Sequence, residues 1–173
     1  RHFMRRFQVE GAQAERVRKT ALAALRQLCP GEASDCDVAF LGWAAQLHEI
    51  GISIAHNAYH KHGAYILNYA DMPGFSKRDQ ARLAFLVLAH RGKLDRLLAI
   101  PDVEIDWRLV ISLRLAVLLH RSRDTRALPD WQVCEQPGGF LLRLPASWLE
   151  KNPWTAAALR EGENIWQRVG MRF

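Results

Sequence analysis

From Gln8 to Leu28 the apolar positions Val9, Val17, Leu22, Leu25 and Leu28 recur near helical spacing among good helix formers, and Pro30-Gly31 stops the run, which predicts a helix. Asp37 can cap a second helix, whose apolar stripe of Phe40, Leu41, Trp43, Ala44 and Leu47 runs to Gly51. A third is expected over Tyr59 to Tyr69, broken by the turn DMPGF through Pro73 and Gly74. Ser76 then caps a fourth, SKRDQARLAFLVLAHR, with Asp79 three residues on in a capping-box position. A short helix follows Gly92, and Asp106 opens a strongly apolar one, WRLVISLRLAVLLHRSR, ending near Arg123.

After Pro129 the texture changes. WQVCE and FLLRL are short β-prone runs separated by QPGG, whose glycines readily supply positive φ, so a hairpin is predicted. Asn152-Pro153 reads as an N-cap and first-turn pair opening a helix over NPWTAAALREGENIW, and RVGMRF could add a last strand. The pattern predicts a mainly α chain: a helical bundle over residues 1–128, then a small α+β module over 129–173. No repeat or low-complexity linker separates the two, so they are expected to pack on each other.

At 173 residues the chain is long enough to bury a self-sufficient core. The opening segment RHFMRRFQ has no signal-peptide core and reads as a cut inside a longer chain, and no apolar run approaches bilayer length. Cys29, Cys36 and Cys134 are odd in number and lack close CxxC pairing, which argues against a disulfide framework and a zinc knuckle and for a reducing cytoplasm. The net charge of +6 is unevenly placed. Residues 1–30 carry seven Arg/Lys against two acids, 31–59 carry four acids and no Arg/Lys, and 60–100 carry seven Arg/Lys against three acids. Two basic segments folded side by side would make a positive face for a polyanion; alternatively, surface helices are simply arginine-rich.

Four of the seven histidines fall in LHEIGISIAHNAYHKHGAYIL. His48-Glu49 ends one helix, His60 and His62 open the next, and His90 ends the fourth, so helix ends could converge on a cleft bearing ligands suited to a divalent metal. The spacing is not that of an HExxH site, because Ile52 stands where the second histidine would be. Histidines at helix ends also satisfy backbone carbonyls without any metal.

A helix containing AERV, one ending LHEIG, then HKHGAYIL, a helix ending LAHR and the run LRLAVLLHR resemble the helical phosphohydrolase domain named for its His-Asp pair. Against that pattern Gln13 stands in place of the first metal-ligand histidine, His48-Glu49 in place of the His-Asp pair, and Val117 in place of the closing aspartate, while His60 and His90 remain. The resemblance therefore implies a degenerate metal site at Gln13, His48, Glu49 and Val117, with no catalytic metal.

A closer resemblance covers almost the whole chain. AAQLHEIG, HKHGAYIL, NYADMPGFS, HRGKL, RLAVLLHRSR, PASWL and IWQ are similar to the C-terminal half of bacterial exopolyphosphatases, which share a family with the guanosine pentaphosphate phosphohydrolases. HKH and His90-Arg91 tilt the match toward the exopolyphosphatase branch. The resemblance implies that the chemistry, with its phosphate loops and Mg2+, belongs to N-terminal domains of the same polypeptide, that this region has no catalytic residue or cofactor of its own, and that it supports a homodimer. The implied ligand is long-chain inorganic polyphosphate, held by many weak, salt-sensitive contacts. His60, Lys61, His62, His90, Arg91 and Lys93 are the candidate contacts, joined by Arg5 and Arg6 from the entering chain; Arg16 and Lys19 are weaker candidates on a helix surface. The alternatives are a metal-dependent nucleotide phosphohydrolase using His48, Glu49, His60 and His90, a pure dimerisation module, or the C-terminal part of a guanosine pentaphosphate phosphohydrolase. Nucleic-acid binding finds no reading helix or stacking-strand motif in support.

Overall fold

The structure is a computed structural model that describes residues 1–31 and 33–173. Helices α1 (His2–Arg6), α2 (Gly11–Leu28), α3 (Asp35–Leu47), α4 (Tyr59–Tyr69), α5 (Lys77–Ala89) and α6 (Trp107–Leu119) precede a hairpin of β1 (Gln132–Gln136) and β2 (Gly139–Arg143), followed by α7 (Ala146–Lys151) and α8 (Pro153–Gln167). Short 3-10 turns occupy Ile50–Ser53 and Asp95–Ala99. The fold is mainly α with a small α+β module at its end.

Helix α6 is the axis of the bundle. Leu109, Val110, Ile111, Leu113, Leu115, Ala116 and Leu119 are buried around most of its circumference, as expected of a helix that is hydrophobic all round. Ser112, the polar residue among them, is satisfied by donating to the Arg108 carbonyl at 2.7 Å. Helix α2 packs against α3 and α6 through Val17, Ala21, Ala24 and Leu25, and α4 lies along α5. Buried Gln80 joins the last two by donating to the carbonyls of Leu67 (3.0 Å) and Ala70 (2.8 Å), thereby satisfying carbonyl groups at the end of α4. The Ser76–Asp79 capping box forms as the sequence predicts.

The module shares the core of the bundle. Val133, Phe140 and Trp166 join the same buried cluster as the helices, with Trp166 edge-on to Trp107 and Phe140. Gln27 of α2 accepts from the Val133 N–H at 2.7 Å, so a side chain of the bundle continues the hydrogen bonding of β1. The hairpin pairs Gln136 with Gly139, and its turn places Gly138 at φ 82°. Gly139 has another reason to be glycine: a Cβ there would overlap the Arg172 carbonyl oxygen.

Several local expectations are corrected. The cap of α3 is Ser34, whose Oγ accepts from the Asp37 N–H; Asp37 is already inside the first turn. That helix ends at Leu47, and a separate 3-10 turn at Ile50–Ser53 follows it. The α6 helix ends at Leu119, before Arg123, which sits in the left-handed region at φ 57°. Asn152 stands at the expected N-cap position of α8, with Pro153 in the first turn and its own carbonyl accepting from the Ala156 N–H at 3.0 Å; what differs is its side chain, which donates to the Trp148 carbonyl at 2.8 Å and closes α7. The tail makes one parallel bridge, Gly139 to Arg172, instead of a strand, and α1 and α7 add to the expected elements.

One close approach fixes how α4 meets the end of α3. A Cβ on Gly51 would overlap the Tyr59 carbonyl oxygen and lie 2.5 Å from the Gly63 nitrogen, both rigid backbone atoms. Gly51→Ala is expected to destabilise the chain by about 3 kcal/mol through forced separation of these segments, measured by urea unfolding at constant m-value.

Candidate functional site

The site grows from helix ends. His48 and Glu49 directly follow the end of α3, His90 directly follows the end of α5, and α4 begins with Tyr59, His60, Lys61 and His62. His48 is 1 % exposed and its Nδ1 lies 2.6 Å from the Ala45 carbonyl oxygen; His90 is 2 % exposed and its Nδ1 pairs in the same way with Val87. Both imidazoles thus satisfy carbonyls at their own helix ends. The rings of His48 and His90 meet edge-on at 5.2 Å between centroids, with His60 a further 6.2 Å from His90.

Glu49 does not face open space. Its carboxylate is gripped by Arg123, with Nη1 at 2.6 Å from Oε1 and Nη2 at 3.3 Å from Oε2, and Arg123 also pairs with Glu10. Arg16 closes the network, lying 3.6 Å from Glu10 and donating to Gln13 Oε1 at 2.8 Å. It is therefore engaged inside the network, whereas Lys19 stays exposed on α2. Gln13 in turn donates through Nε2 to the His120 carbonyl at 2.9 Å, while the His120 ring bonds Thr20 Oγ1. A guanidinium thus stands on the carboxylate that a divalent ion would need. Hydrogen bonds donated to Glu49 and Glu10 hold Arg123 further toward its charged form than usual.

These donors do not fit a divalent metal. Glu49 is committed to a cation, Gln13 has both ends of its amide engaged, and Val117 has no donor atom. Among the described residues no three His, Cys, Asp or Glu side chains are grouped as a metal site would require.

Beyond the histidines the electrostatics reverse. His60 packs against the turn after α5, its Nε2 being 3.1 Å from where a Cβ on Gly92 would stand, and this contact puts the HKH segment beside Arg91 and Lys93. Desolvation, then the charges of Arg91, Lys61, Arg114 and His62, pushes the His60 pKa down to about 4. Burial does the same to His48 and, more strongly, to His90, so all three rings are neutral at pH 7. Lys61, Arg91 and Lys93 are exposed, and Arg91 lies over the Tyr59 ring at 4.7 Å. Arg5 and Arg6 are on α1, which packs on α3; Arg6 stacks on Phe7 and Arg5 borders a shallow hollow with Arg1 and Met4.

Arg114 has no counterpart among the residues singled out by the sequence. It donates to the carbonyls of Ala89 and Gly92, both at 2.9 Å, capping the end of α5, and desolvation pulls its pKa down to about 10. The pattern of charges along the chain gives no hint of the roles of Arg114 and Arg123, since the partners that define them lie at least 22 residues away.

The arrangement, then, is a helical domain in which an internal cation holds the carboxylate beside the buried histidines and whose flank carries exposed positive charge. Residues 1–163 match the family "Ppx/GppA phosphatase, domain III". The chain belongs to the Ppx/GppA phosphatase family, as this C-terminal region of it. It is similar to the guanosine-5'-triphosphate,3'-diphosphate pyrophosphatases of Pseudoalteromonas atlantica (34 % identity over 97 % of this chain and 34 % of the relative), Pseudoalteromonas translucida (30 %, 99 % and 35 %) and Aeromonas hydrophila (31 %, 95 % and 34 %). The chain spans about a third of the length of these relatives. No helix among the described residues is long and apolar enough to cross a membrane.

Arg123→Ala leaves a carboxylate that is 8 % exposed without its partner, and is expected to cost about 2 kcal/mol, less than for a fully buried pair because Arg123 is 41 % exposed. Thermal unfolding with Glu49→Gln as a second single variant, and the double variant to complete the cycle, measures the coupling. For the histidines, the folded-state pKa lies below the unfolded value of 6.5, so the unfolded chain takes up protons first. Stability is complete above pH 6.5 and falls as pH drops from there toward 4; urea midpoints across pH 4 to 8 should show this, and His60→Asn should flatten the slope.

Proposed function

We propose that this chain is the non-catalytic C-terminal region of a guanosine pentaphosphate phosphohydrolase, the longer polypeptide removing a phosphate from the nucleotide in domains N-terminal to it, with Mg2+ bound there. The observation that carries this reading is the likeness, along nearly the whole chain, to several guanosine-5'-triphosphate,3'-diphosphate pyrophosphatases. It favours this branch over the exopolyphosphatase branch, toward which HKH and His90-Arg91 tilt the sequence. The Arg123–Glu49 pair supports a non-catalytic role, because a guanidinium cannot activate water as a bound metal does.

A second reading is favoured by one specific feature, the exposed cations Lys61, Arg91 and Lys93 beside His60 and His62. In this reading they hold extended inorganic polyphosphate on the surface, with His90 buried behind them and Arg5 and Arg6 adding charge from α1. Homodimerisation and a cytoplasmic setting belong to the same proposal; the free thiols of Cys29, Cys36 and Cys134 accord with a reducing compartment.

The test is phosphate release by the longer protein and by this chain, each offered guanosine pentaphosphate and long-chain polyphosphate. Turnover of the nucleotide by the longer protein and none by the chain is expected; hydrolysis by the chain unaided, or a preference for the polymer, would defeat the main reading. Polyphosphate retention by the chain on filters at about 50 and about 200 mM salt decides the second: retention should fall steeply with salt and with Lys61→Ala.

A further inference from the structure

The hairpin leaves part of one edge open. On the β1 side the outward N–H of Val133 is taken by Gln27, and on the β2 side the outward N–H of Phe140 is taken by the Arg172 carbonyl at 2.9 Å. Arg172 in turn donates to the Gly138 carbonyl at 2.8 Å, so the tail starts a parallel ladder on β2 with Arg172 opposite Gly139. Outward groups recur at every second residue of a strand, which makes the next ones on β2 the Phe140 carbonyl, the N–H and carbonyl of Leu142, and the Leu144 N–H. Among the described residues none of these groups is paired.

A groove of about 880 Å3 runs beside this edge, between β2, α7 and α8. Leu142, Leu144, Leu149, Leu159 and Phe173 line it, each half-buried, so large apolar side chains remain partly wet around one hollow. Its charged residues are Arg143, Arg160, Glu150 and Glu163, two of each sign, which gives an anion such as polyphosphate no net attraction. From Phe140 to Leu144 the edge is about 13 Å long at the rise of a strand. Unpaired strand groups beside an apolar groove are the two components of strand addition: main-chain hydrogen bonds on one side, and room for alternate side chains on the other.

The surroundings of the edge narrow its occupant. Arg172 already pairs in the parallel sense and Phe173 lies in the groove, so a strand running parallel to β2 meets a ladder whose first pair is made. A second copy paired antiparallel about Leu142 would instead set Leu144 opposite Phe140, whose N–H Arg172 already holds. The chain spans about a third of the length of its relatives, which leaves ample polypeptide outside it to supply a strand. We infer that the open edge of β2 and the groove beside it receive an extended segment of the longer polypeptide outside residues 1–173, added parallel to β2. The inference rests on the reading that this chain is a region of a longer polypeptide, and it stands whichever phosphate compound that protein hydrolyses.

Amide hydrogen exchange, read residue by residue by NMR in this chain and in the longer protein, tests it. The N–H groups of Leu141 and Arg143 point into the β1–β2 ladder and serve as internal controls, slow in both proteins. Those of Leu142 and Leu144 are expected to exchange fast in the chain and at least about tenfold slower in the longer protein, with no change on dilution of the latter. Leu142→Pro removes one outward donor without touching the β1–β2 ladder, and should return Leu144 to fast exchange in the longer protein while Leu141 and Arg143 stay slow. Equally fast exchange of Leu142 in both proteins, slow exchange of Leu142 in the chain alone, or protection of Leu144 that survives the proline would each overturn the inference. Protection lost on dilution would overturn it as well, assigning the edge to a second copy. Phosphate release is read separately, so a longer protein that hydrolyses the nucleotide yet leaves Leu142 fast defeats this inference and spares the functional reading.

Discussion

The Arg123 guanidinium and its two carboxylates tie together segments that the chain separates widely. Glu10 stands just before α2, Glu49 just after α3, and Arg123 beyond α6 in a left-handed backbone conformation. Glu49 is nearly buried, and an unpaired carboxylate there would be far more costly than a solvated one. The pairing therefore fixes how three helix ends meet. It also sets the chemistry: a fixed, permanently protonated cation neutralises the acids but offers no open coordination position.

From that network outward the molecule divides electrostatically. On one side Glu10, Glu49, Arg16 and Arg123 balance one another, with Gln13 and His120 extending the hydrogen bonds. On the other, Lys61, Arg91 and Lys93 are exposed, and Arg114 meets carbonyl dipoles in place of an acid. Between them lie His48, His60 and His90, kept neutral by burial and by the neighbouring cations. Neutral rings can pack at that boundary; charged ones would add repulsion to a region already short of anions.

The small C-terminal module is what gives the cationic side a shaped surface. Trp166 anchors α8 against Trp107 and Phe140, and Gln27 stitches β1 to α2. Docking α8 in this way walls off the face of α6 that carries Arg114, Val117 and Leu118. A bundle without the module would present those groups to open solvent, where screening and hydration would weaken any anion's hold.

Local features are readable because their causes lie within a few residues. The Ser76–Asp79 box, the PG turn of the hairpin, the helical stripe of α2 and the apolar run of α6 each carry their own signal. The sequence by itself determined the mainly helical class and the late hairpin. Only the tertiary structure decided that Arg123 would sit on Glu49 from 74 residues away, that the Asn152 side chain would turn back to close α7, and that Arg91, Arg114 and Arg121 would line one cleft. Those outcomes depend on the angle and depth at which helices dock, and a long flexible charged side chain carries no periodicity that would announce its partner in advance.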